Sequence, residues 1–122
     1  MLENITLKDL LEIINLMQTK NQDSIKIENM RYVIVRTYSA GVFSGNFHSR
    51  INGSVILQNA RRLWKWSGAA SLSQLAMEGV KDPDNCMFPC EIQSVELLNP
   101  IEIINCTEKA KESIKGVKVW EK

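Results

Sequence analysis

The stretch RYVIVRTYSAGVFSGNFHS at residues 31–49 decides the fold. Its first eight residues alternate with a period of two, so that even-numbered positions face one side of a strand and odd-numbered positions the other. Serine, alanine and glycine at 39–41 give a turn signal, and a second strand runs from Val42 to Ser49. Gly45 interrupts this second strand, which predicts a bulge or a close backbone approach. The stretch therefore predicts two strands joined by a short turn.

Two more strands are predicted directly after it. Asn52-Gly53 is a strong hairpin signal, because both residue types tolerate the positive φ of a tight turn, and it leads into a strand at 54–58. A further strand is predicted at 60–66, before Ser67-Gly68 breaks the chain. Four strands on short connections predict a strongly bent antiparallel sheet or a partly open small barrel.

Helices are predicted at both ends of this β-rich core. Residues 6–20 carry apolar side chains at positions 7, 10, 11, 14 and 17, which is the recurrence of one helical face. Thr107 is placed to cap a last helix, and Gly116 is placed to end it. We therefore expect one α+β domain over residues 1–122, with an amphipathic helix at 6–20, a β-rich core at 30–106 and a short helix at 107–116.

The pattern between the fourth strand and the last helix is less regular. Residues 69–80 fit either a strand or a short helix, and we expect a strand that ends in a turn at Glu78-Gly79. KDPDN at 81–85 predicts a loop in which Pro83 begins a single helical turn. Two β-rich runs at 91–98 and 101–104 are expected to complete the sheet.

Composition excludes several classes of function. The 122 residues contain 15 basic and 14 acidic side chains, a net charge of +1, so the strong positive field of a general DNA or RNA binder is missing. No apolar run approaches the roughly 18 residues that span a bilayer, and the N-terminus begins acidic and amphipathic. The sequence thus predicts a soluble, unexported protein in which any anionic ligand meets a local cluster of cations.

The cysteine and histidine content argues against metal binding and catalysis. Cys86, Cys90 and Cys106 form an odd count without an export signal, which predicts reduced thiols. A closed zinc site needs about four ligands, and the single histidine, His48, is the one further candidate. Ser-His-Asp or Cys-His catalysis would also need that histidine in a motif, and no phosphate-loop glycine pattern is present. We expect no metal, no cofactor and no enzymatic activity.

The segment NARRLWKWSGAASLSQL at 59–75 holds the strongest candidates for binding. If 60–66 is extended, Arg62, Trp64 and Trp66 share one face, and Arg61, Leu63 and Lys65 share the other. An aromatic beside a guanidinium can stack a base and pair with a phosphate. The alternative is structural, because large aromatics are usually core and an arginine often covers one as a cation–π contact.

Four segments resemble a known family: RYVIVRTYSAGVFSG, NARRLWKWSGAASLSQLAMEGV, DPDNCMFPC and IEIINCTEKAKESIKG, which together cover about residues 30–120. They are similar to short phage proteins of the Thoeris anti-defence family of signal sponges. That resemblance implies binding and sequestration, without degradation, of a cyclic ADP-ribose isomer made by a bacterial TIR-domain enzyme. It implies action in the cytoplasm of the infected host and evasion of its antiviral immunity.

The resemblance also implies an assembly and a site. It implies a homodimer, or a hexamer built from dimers, with pockets near subunit boundaries, and no DNA or membrane partner; some relatives also bind cyclic oligonucleotides. Sequestering a sub-micromolar messenger requires a nanomolar dissociation constant, about −12 kcal/mol, and hence several charge-assisted bonds in a closed pocket. The candidate ligand-binding residues are Arg36, Tyr38, Arg62, Trp64, Trp66, Ser67 and Ser73.

Two other functions compete with this interpretation. A helix followed by a bent meander, with a glycine in the second strand, also resembles Sm-like small barrels that bind RNA. The near-neutral charge argues against that function. The tryptophans could instead form a subunit interface of a structural oligomer, because tryptophan and arginine are enriched in interface hot spots.

Overall fold

The structure is a computed structural model that describes residues 29–121. The predicted amphipathic helix at 6–20 lies outside the described residues. The described strands and helices, all within the unit Arg31–Lys122, are β1 Tyr32–Thr37, β2 Val42–Ile51, β3 Ser54–Arg62, α1 Leu72–Glu78, β4 Ile92–Leu97, β5 Pro100–Asn105 and α2 Glu108–Gly116. A single 3-10 turn, Pro83–Asn85, lies between α1 and β4, where Pro83 was predicted to begin one.

The five strands form one antiparallel sheet in the order β4-β3-β2-β1-β5. β4 and β5 lie at opposite edges of this order, yet Leu98 and Asn99 alone separate them in sequence. Such a short link spans at most about 11 Å, so the sheet must curve until its two edges approach each other at this corner. The predicted α+β fold with a bent, partly open antiparallel sheet is confirmed.

The curved sheet buries a separate core on each face. Alternation along β1 directs Tyr32 and Ile34 to one face and Val33 and Val35 to the other. The first face packs under both helices, and we call it the helix-side core. The second face lines the inside of the curve, and we call it the inner core; its remaining buried members are Phe43, Val55, Leu57, Ala60 and Leu97.

A bulge in β3 determines which face of the sheet the side chains of Arg61 and Arg62 lie on. The β2–β3 register moves between Ser44 and Asn46, so Gly45 lies opposite both Asn59 and Ala60. Asn59 adopts a φ of 48°, and a Cβ on Gly45 would come within 3.0 Å of the Ala60 Cα atom. The close approach predicted at Gly45 is confirmed, and the extra residue reverses the alternation of β3 from odd to even positions.

Two sequence predictions about the middle of the chain are wrong. One bulged strand, Ser54–Arg62, replaces the two strands predicted at 54–58 and 60–66. Residues 72–78 form α1 instead of a strand, because Leu72, Leu75 and Ala76 pack on the same core, a spacing that suits a helix. The Ser71 hydroxyl caps this helix by accepting from the Gln74 N–H at 3.1 Å.

The turn and cap predictions at the other elements are confirmed. Asn52 and Gly53 both adopt positive φ, at 51° and 84°, as a tight hairpin turn requires. The Thr107 hydroxyl accepts from the Ala110 N–H at 3.1 Å and caps α2, although Gly116 is the last helical residue and Val117 is the C-cap. Within residues 29–121, no helix has the length and hydropathy needed to cross a bilayer.

Candidate functional site

A cavity of about 280 Å³ opens at the mouth of the curved sheet, and we call it the mouth cavity. It lies where the β1–β2 turn, the ends of β3 and β4, and the β4–β5 turn come together. Mouths of small barrels are a common place for ligand sites. The lining residues are Thr37, Ser39, Ala40, Phe43, Arg62 and the run from Val95 to Asn99.

Arg62 is the cation of this cavity, and its position follows from the strand pairing. It lies directly across from Phe43 in the β2–β3 ladder, and its Cζ atom is 4.3 Å from the centroid of the Phe43 ring. Its Nη1 donates to the carbonyl of Ala40 in the β1–β2 turn. Phe43 is 2% exposed whereas Arg62 is exposed, so the guanidinium covers the ring from the solvent side.

The charge of Arg62 is not neutralised by a described carboxylate. Within the described part of the chain, ion pairs form between Arg36 and Glu102 at 3.2 Å and between Lys81 and Glu78 at 3.9 Å, and Arg62 is in neither. Its bonded partner is a neutral carbonyl. A positive charge beside an apolar ring therefore remains available to a ligand at the mouth cavity.

Tyr38 and Arg36, the candidates on β1 and its turn, lie in different surroundings. The Tyr38 side chain is 81% exposed, and its backbone N–H donates to the Asn99 carbonyl at 2.9 Å, which ties together the two turns beside the cavity. Arg36 pairs with Val42, a member of the helix side, and its guanidinium is bonded to Glu102. Arg36 and Arg62 therefore lie on opposite faces of the sheet.

The two candidate tryptophans also lie in different surroundings. Trp64 is 65% exposed, whereas Trp66 is half-buried against the helix-side core, which also contains Leu63. The predicted alternation through 66 is wrong because β3 ends at Arg62, and Lys65 instead forms a bridge with Met87 on a different segment. Trp64 follows Arg62 as an exposed aromatic, and Trp66 has a packing role.

The two candidate serines also lie in different surroundings, and neither lines the mouth cavity. The Ser67 hydroxyl donates to the Asp82 carboxylate at 3.0 Å, and Asn85 donates to the same oxygen at 2.8 Å, which lowers the pKa of Asp82. Ser73 is exposed in α1. Of the seven candidate residues, Arg62 alone lines the mouth cavity, and Tyr38 adjoins it.

Arg61, the neighbour of Arg62, is buried and links separate segments of the backbone. Its side chain is buried, and its Nε, Nη1 and Nη2 atoms donate to the carbonyls of Pro89, Ile114 and Phe88 at 2.9, 2.8 and 3.1 Å. Burial lowers the pKa of its guanidinium. These bonds tie β3 to the last turn of α2 and to the segment before β4.

The thiols and the histidine do not form a reactive cluster. Burial raises the pKa of Cys106 to about 12, and burial likewise raises that of Cys86, whose sulfur accepts from the Ser67 N–H at 3.3 Å. Cys90 is exposed, and His48 is exposed with its Nδ1 atom 2.9 Å from the adjacent Ser49 hydroxyl. Among residues 29–121, no three histidine, cysteine or acidic side chains converge as metal ligands would.

Comparison with protein families gives one result that matches most of this fold. A family described as a domain of unknown function, DUF6948, matches residues 30–114, which includes the whole sheet and nearly all of α2. The chain belongs to the DUF6948 family. No curated protein and no solved structure matches it. DUF6948 therefore defines the domain that carries the mouth cavity.

Several cavity residues of this DUF6948 domain were missed by sequence reasoning. Phe43, Val95 and Leu97 are hydrophobic strand residues whose pattern indicated core, and core positions at a sheet corner can also line an opening. Asn99 could have been found, because it lies between the two β-rich runs predicted at 91–98 and 101–104. The cavity needs β4 and β5 to meet, and single-strand patterns do not report that approach.

Proposed function

We propose that this protein is a phage anti-defence protein that binds and sequesters a cyclic ADP-ribose isomer without degrading it. The messenger is the product of a TIR-domain enzyme in Thoeris immunity, and its removal in the host cytoplasm keeps the defence effector inactive. Four sequence segments that resemble this family support the proposal, and the mouth cavity supports a nucleotide ligand. The protein acts as a homodimer or as a hexamer built from dimers.

The observation that carries the proposal is Arg62 at the mouth cavity. It combines an exposed cation without a described ion-pair partner, a phenyl ring behind it and an opposite wall in which apolar side chains flank the Glu96 carboxylate. Adenine nucleotides present an anionic group and a flat base within a few ångströms of each other. An arginine beside apolar side chains is chemically suited to such a ligand.

Sequestration, and not turnover, agrees with the surroundings of the titratable groups. The described partner of His48 is a serine hydroxyl beside it in sequence, and Cys86 and Cys106 carry raised thiol pKa values, which disfavour the nucleophilic thiolate. A sponge needs tight binding in place of reactive groups. The Arg62 guanidinium, which is held against Phe43 and bonded to the Ala40 carbonyl, supports binding through a preorganised contact.

A ligand-release experiment tests the proposal. The purified protein is mixed with the product of a TIR-domain enzyme, free small molecules are removed, and the protein is then heated. We expect release of an unmodified cyclic ADP-ribose isomer, identified by mass and chromatographic retention. Release of a degraded nucleotide would identify an enzyme, and the absence of retained nucleotide would refute sequestration.

The chain offers a matched control for Arg62. Arg31 also covers a phenylalanine, with its Cζ atom 4.3 Å from the Phe47 centroid, and it also makes one described hydrogen bond, to the Asn105 side chain. Arg31 does not line the mouth cavity. We expect Arg62→Ala to abolish messenger retention and Arg31→Ala to preserve it, with similar small changes in melting temperature. Equal loss in both variants would contradict a ligand-binding role for Arg62.

Single-stranded RNA binding by a small barrel is the second candidate. The favouring observation is the strand order, in which a strongly bent five-stranded sheet brings its two edges together through Leu98 and Asn99. RNA affinity would fall steeply between low and moderate salt, because phosphate contacts release counterions. Absence of RNA binding at low salt would exclude this candidate.

A further inference from the structure

Arg62 is held in one orientation by two contacts, one with Phe43 on β2 and one with Ala40 in the β1–β2 turn. Its guanidinium carbon lies 4.3 Å from the centre of the Phe43 ring, a distance at which the planar group lies against the ring. Its Nη1 is bonded to the Ala40 carbonyl, which the β1–β2 turn presents because Gly41 adopts a φ of 94°. The guanidinium thus has an inner face covered by phenylalanine and an outer face toward the solvent.

The opposite wall of the mouth cavity, formed by residues 95–99, presents apolar side chains beside one carboxylate, that of Glu96, which disfavours an anionic group. Val95 and Leu97 contribute to the inner core, and the adjoining Leu98 is exposed at the β4–β5 turn. The Thr37 hydroxyl, the nearest polar group on β1, is already engaged: it donates to the Gly41 carbonyl at 2.7 Å and accepts from the Ala40 N–H at 2.9 Å. A phosphate placed here would lose water and gain few donors in return, whereas a flat base would gain contact on both sides.

We infer that the mouth cavity binds a nucleobase, which stacks on the outer face of the Arg62 guanidinium with Phe43 behind it. The arginine then acts as a flat surface between two rings, in place of the phosphate-pairing role that its residue type first indicates. This inference rests on the proposed function and assigns the adenine of that nucleotide to the cavity. The volume of about 280 Å³ lies below the roughly 300–1,000 Å³ of pockets that enclose whole ligands, and it suits a base.

The two roles of Arg62 predict opposite orders among substitutions. A stacked base requires a flat side chain on Phe43, so Arg62→Tyr should retain more affinity than Arg62→Lys, and Arg62→Ala should lose about tenfold or more relative to wild type. A phosphate contact requires charge, so Arg62→Lys would then bind more tightly than Arg62→Tyr. Position 62 is the exposed last residue of β3, and tyrosine is well accommodated in strands.

The experiment measures the affinities of these variants for ADP, adenosine and inorganic pyrophosphate by calorimetry, with the cyclic ADP-ribose isomer as a fourth probe. We expect adenosine and ADP to bind the wild-type protein and pyrophosphate to bind far more weakly. We expect Arg62→Tyr to bind adenosine and ADP more tightly than Arg62→Lys does. The same substitutions at Arg31 form the control and should leave every affinity unchanged. Unfolding curves for each variant show that the compared proteins are folded.

Each result decides between the inference and the proposed function. A higher affinity of Arg62→Lys than of Arg62→Tyr would overturn base stacking on Arg62. Pyrophosphate binding as tight as ADP binding would also overturn it. Wild type that binds adenosine with the expected order but does not retain the cyclic isomer would keep the inference and refute sequestration. Wild type that binds neither adenosine nor ADP would overturn the inference, even if the cyclic isomer were retained.

Discussion

Arg61 and Arg62 are identical neighbours in sequence with opposite environments. The β3 bulge at Asn59 directs Arg61 under the helices, where its donors meet three carbonyls, and directs Arg62 to the mouth cavity. The sequence correctly separated the two side chains onto different faces, and Arg62 is the candidate residue that lines the mouth cavity. It could not foresee the buried partners of Arg61, because those carbonyls lie 27 to 53 residues away along the chain.

Replacing Arg61 should destabilise the fold. Arg61→Met removes three hydrogen bonds from a charged, buried group, each worth roughly 1.5–3 kcal/mol, so we expect the free energy of unfolding to fall by about 3 kcal/mol or more. Arg62→Met should cost about 1 kcal/mol or less, since its described contacts are exposed. Urea unfolding of both variants measures the difference, and equal stabilities would contradict the structural role of Arg61.

Tyr32 should make stability depend on alkaline pH. Its buried hydroxyl donates to the Ser44 hydroxyl at 3.0 Å, and burial raises the pKa of Tyr32 from its ordinary 10.0 to about 12. The folded state therefore keeps a proton that the unfolded chain loses. Its contribution is complete below pH 10 and declines by up to about 1.4 kcal/mol per pH unit between 10 and 12.

Tyr32→Phe tests whether ionisation of Tyr32 lowers the free energy of unfolding as the pH rises. The variant should be less stable than wild type by about 1 kcal/mol at pH 7, because one buried hydrogen bond is lost. Its free energy of unfolding should fall less steeply above pH 10. Cys106 has a pKa also raised to about 12 by burial, so both proteins should still lose some stability from about pH 9. Parallel pH profiles for the two proteins in denaturant unfolding would argue against the ionisation of Tyr32.

The segment between β3 and β4 shows what local patterns do and do not determine at the scale of elements. Period-two alternation identified β1 and β2, whose two faces are buried in different cores. The same reasoning failed for α1, because its seven residues carry too few apolar positions to separate a helix from a strand. The Ser71 cap and the packing of Leu75 and Ala76 settle the helix, and the packing depends on distant segments.

Gly68 marks a backbone crossing that should tolerate no side chain. A Cβ there would lie 2.5 Å from the backbone nitrogens of both Lys81 and Asp82, and its φ is 87°. The backbone of Lys81 and Asp82 thus passes directly against Gly68, and the Lys81 N–H donates to the Gly68 carbonyl at 3.3 Å. We expect Gly68→Ala to cost well over 2 kcal/mol, because the clashing atoms belong to backbone.

Gly53 provides the control for that substitution. It has a similar φ of 84°, but a Cβ there would meet no atom within 4 Å. Gly53→Ala should therefore cost only the backbone conformation, about 1–2 kcal/mol. Thermal or urea unfolding compares the two variants, and a Gly68→Ala protein as stable as Gly53→Ala would disprove the tight crossing.

Ligand binding should be visible in the stability of the whole molecule. If the proposed dissociation constant is nanomolar, a free messenger concentration about 1,000 times higher stabilises the folded state by about 4 kcal/mol. The melting temperature should rise by well over 10 °C, since each kcal/mol corresponds to roughly 4–8 °C in a domain of this size. Differential scanning fluorimetry with the cyclic ADP-ribose isomer measures this rise, and Arg62→Ala should abolish it. An unchanged wild-type melting temperature would count against tight binding.

At this scale the sequence predicted the sheet and missed its corner. The bent antiparallel fold followed from short connections and strand alternation, whereas the mouth cavity depends on the approach of β4 and β5 at opposite ends of the strand order. Arg62 was found because guanidinium and aromatic residues are rare and chemically distinctive. Its apolar partners were missed, because Phe43, Val95 and Leu97 also serve the inner core.

The position of β5 has a consequence for how this chain folds. β2 pairs with β1 and β3 through short turns, whereas β5 joins β1 from far along the chain, since Val33 pairs with Asn105, 72 positions later. Contacts between distant segments cost loop-closure entropy before they stabilise anything, which slows folding. The β2–β3 hairpin should therefore gain amide protection from hydrogen exchange early in refolding, and β5 late. The corner beside the mouth cavity is then the last part of the sheet to close, and a nascent chain cannot complete this corner until residue 105 has been synthesised.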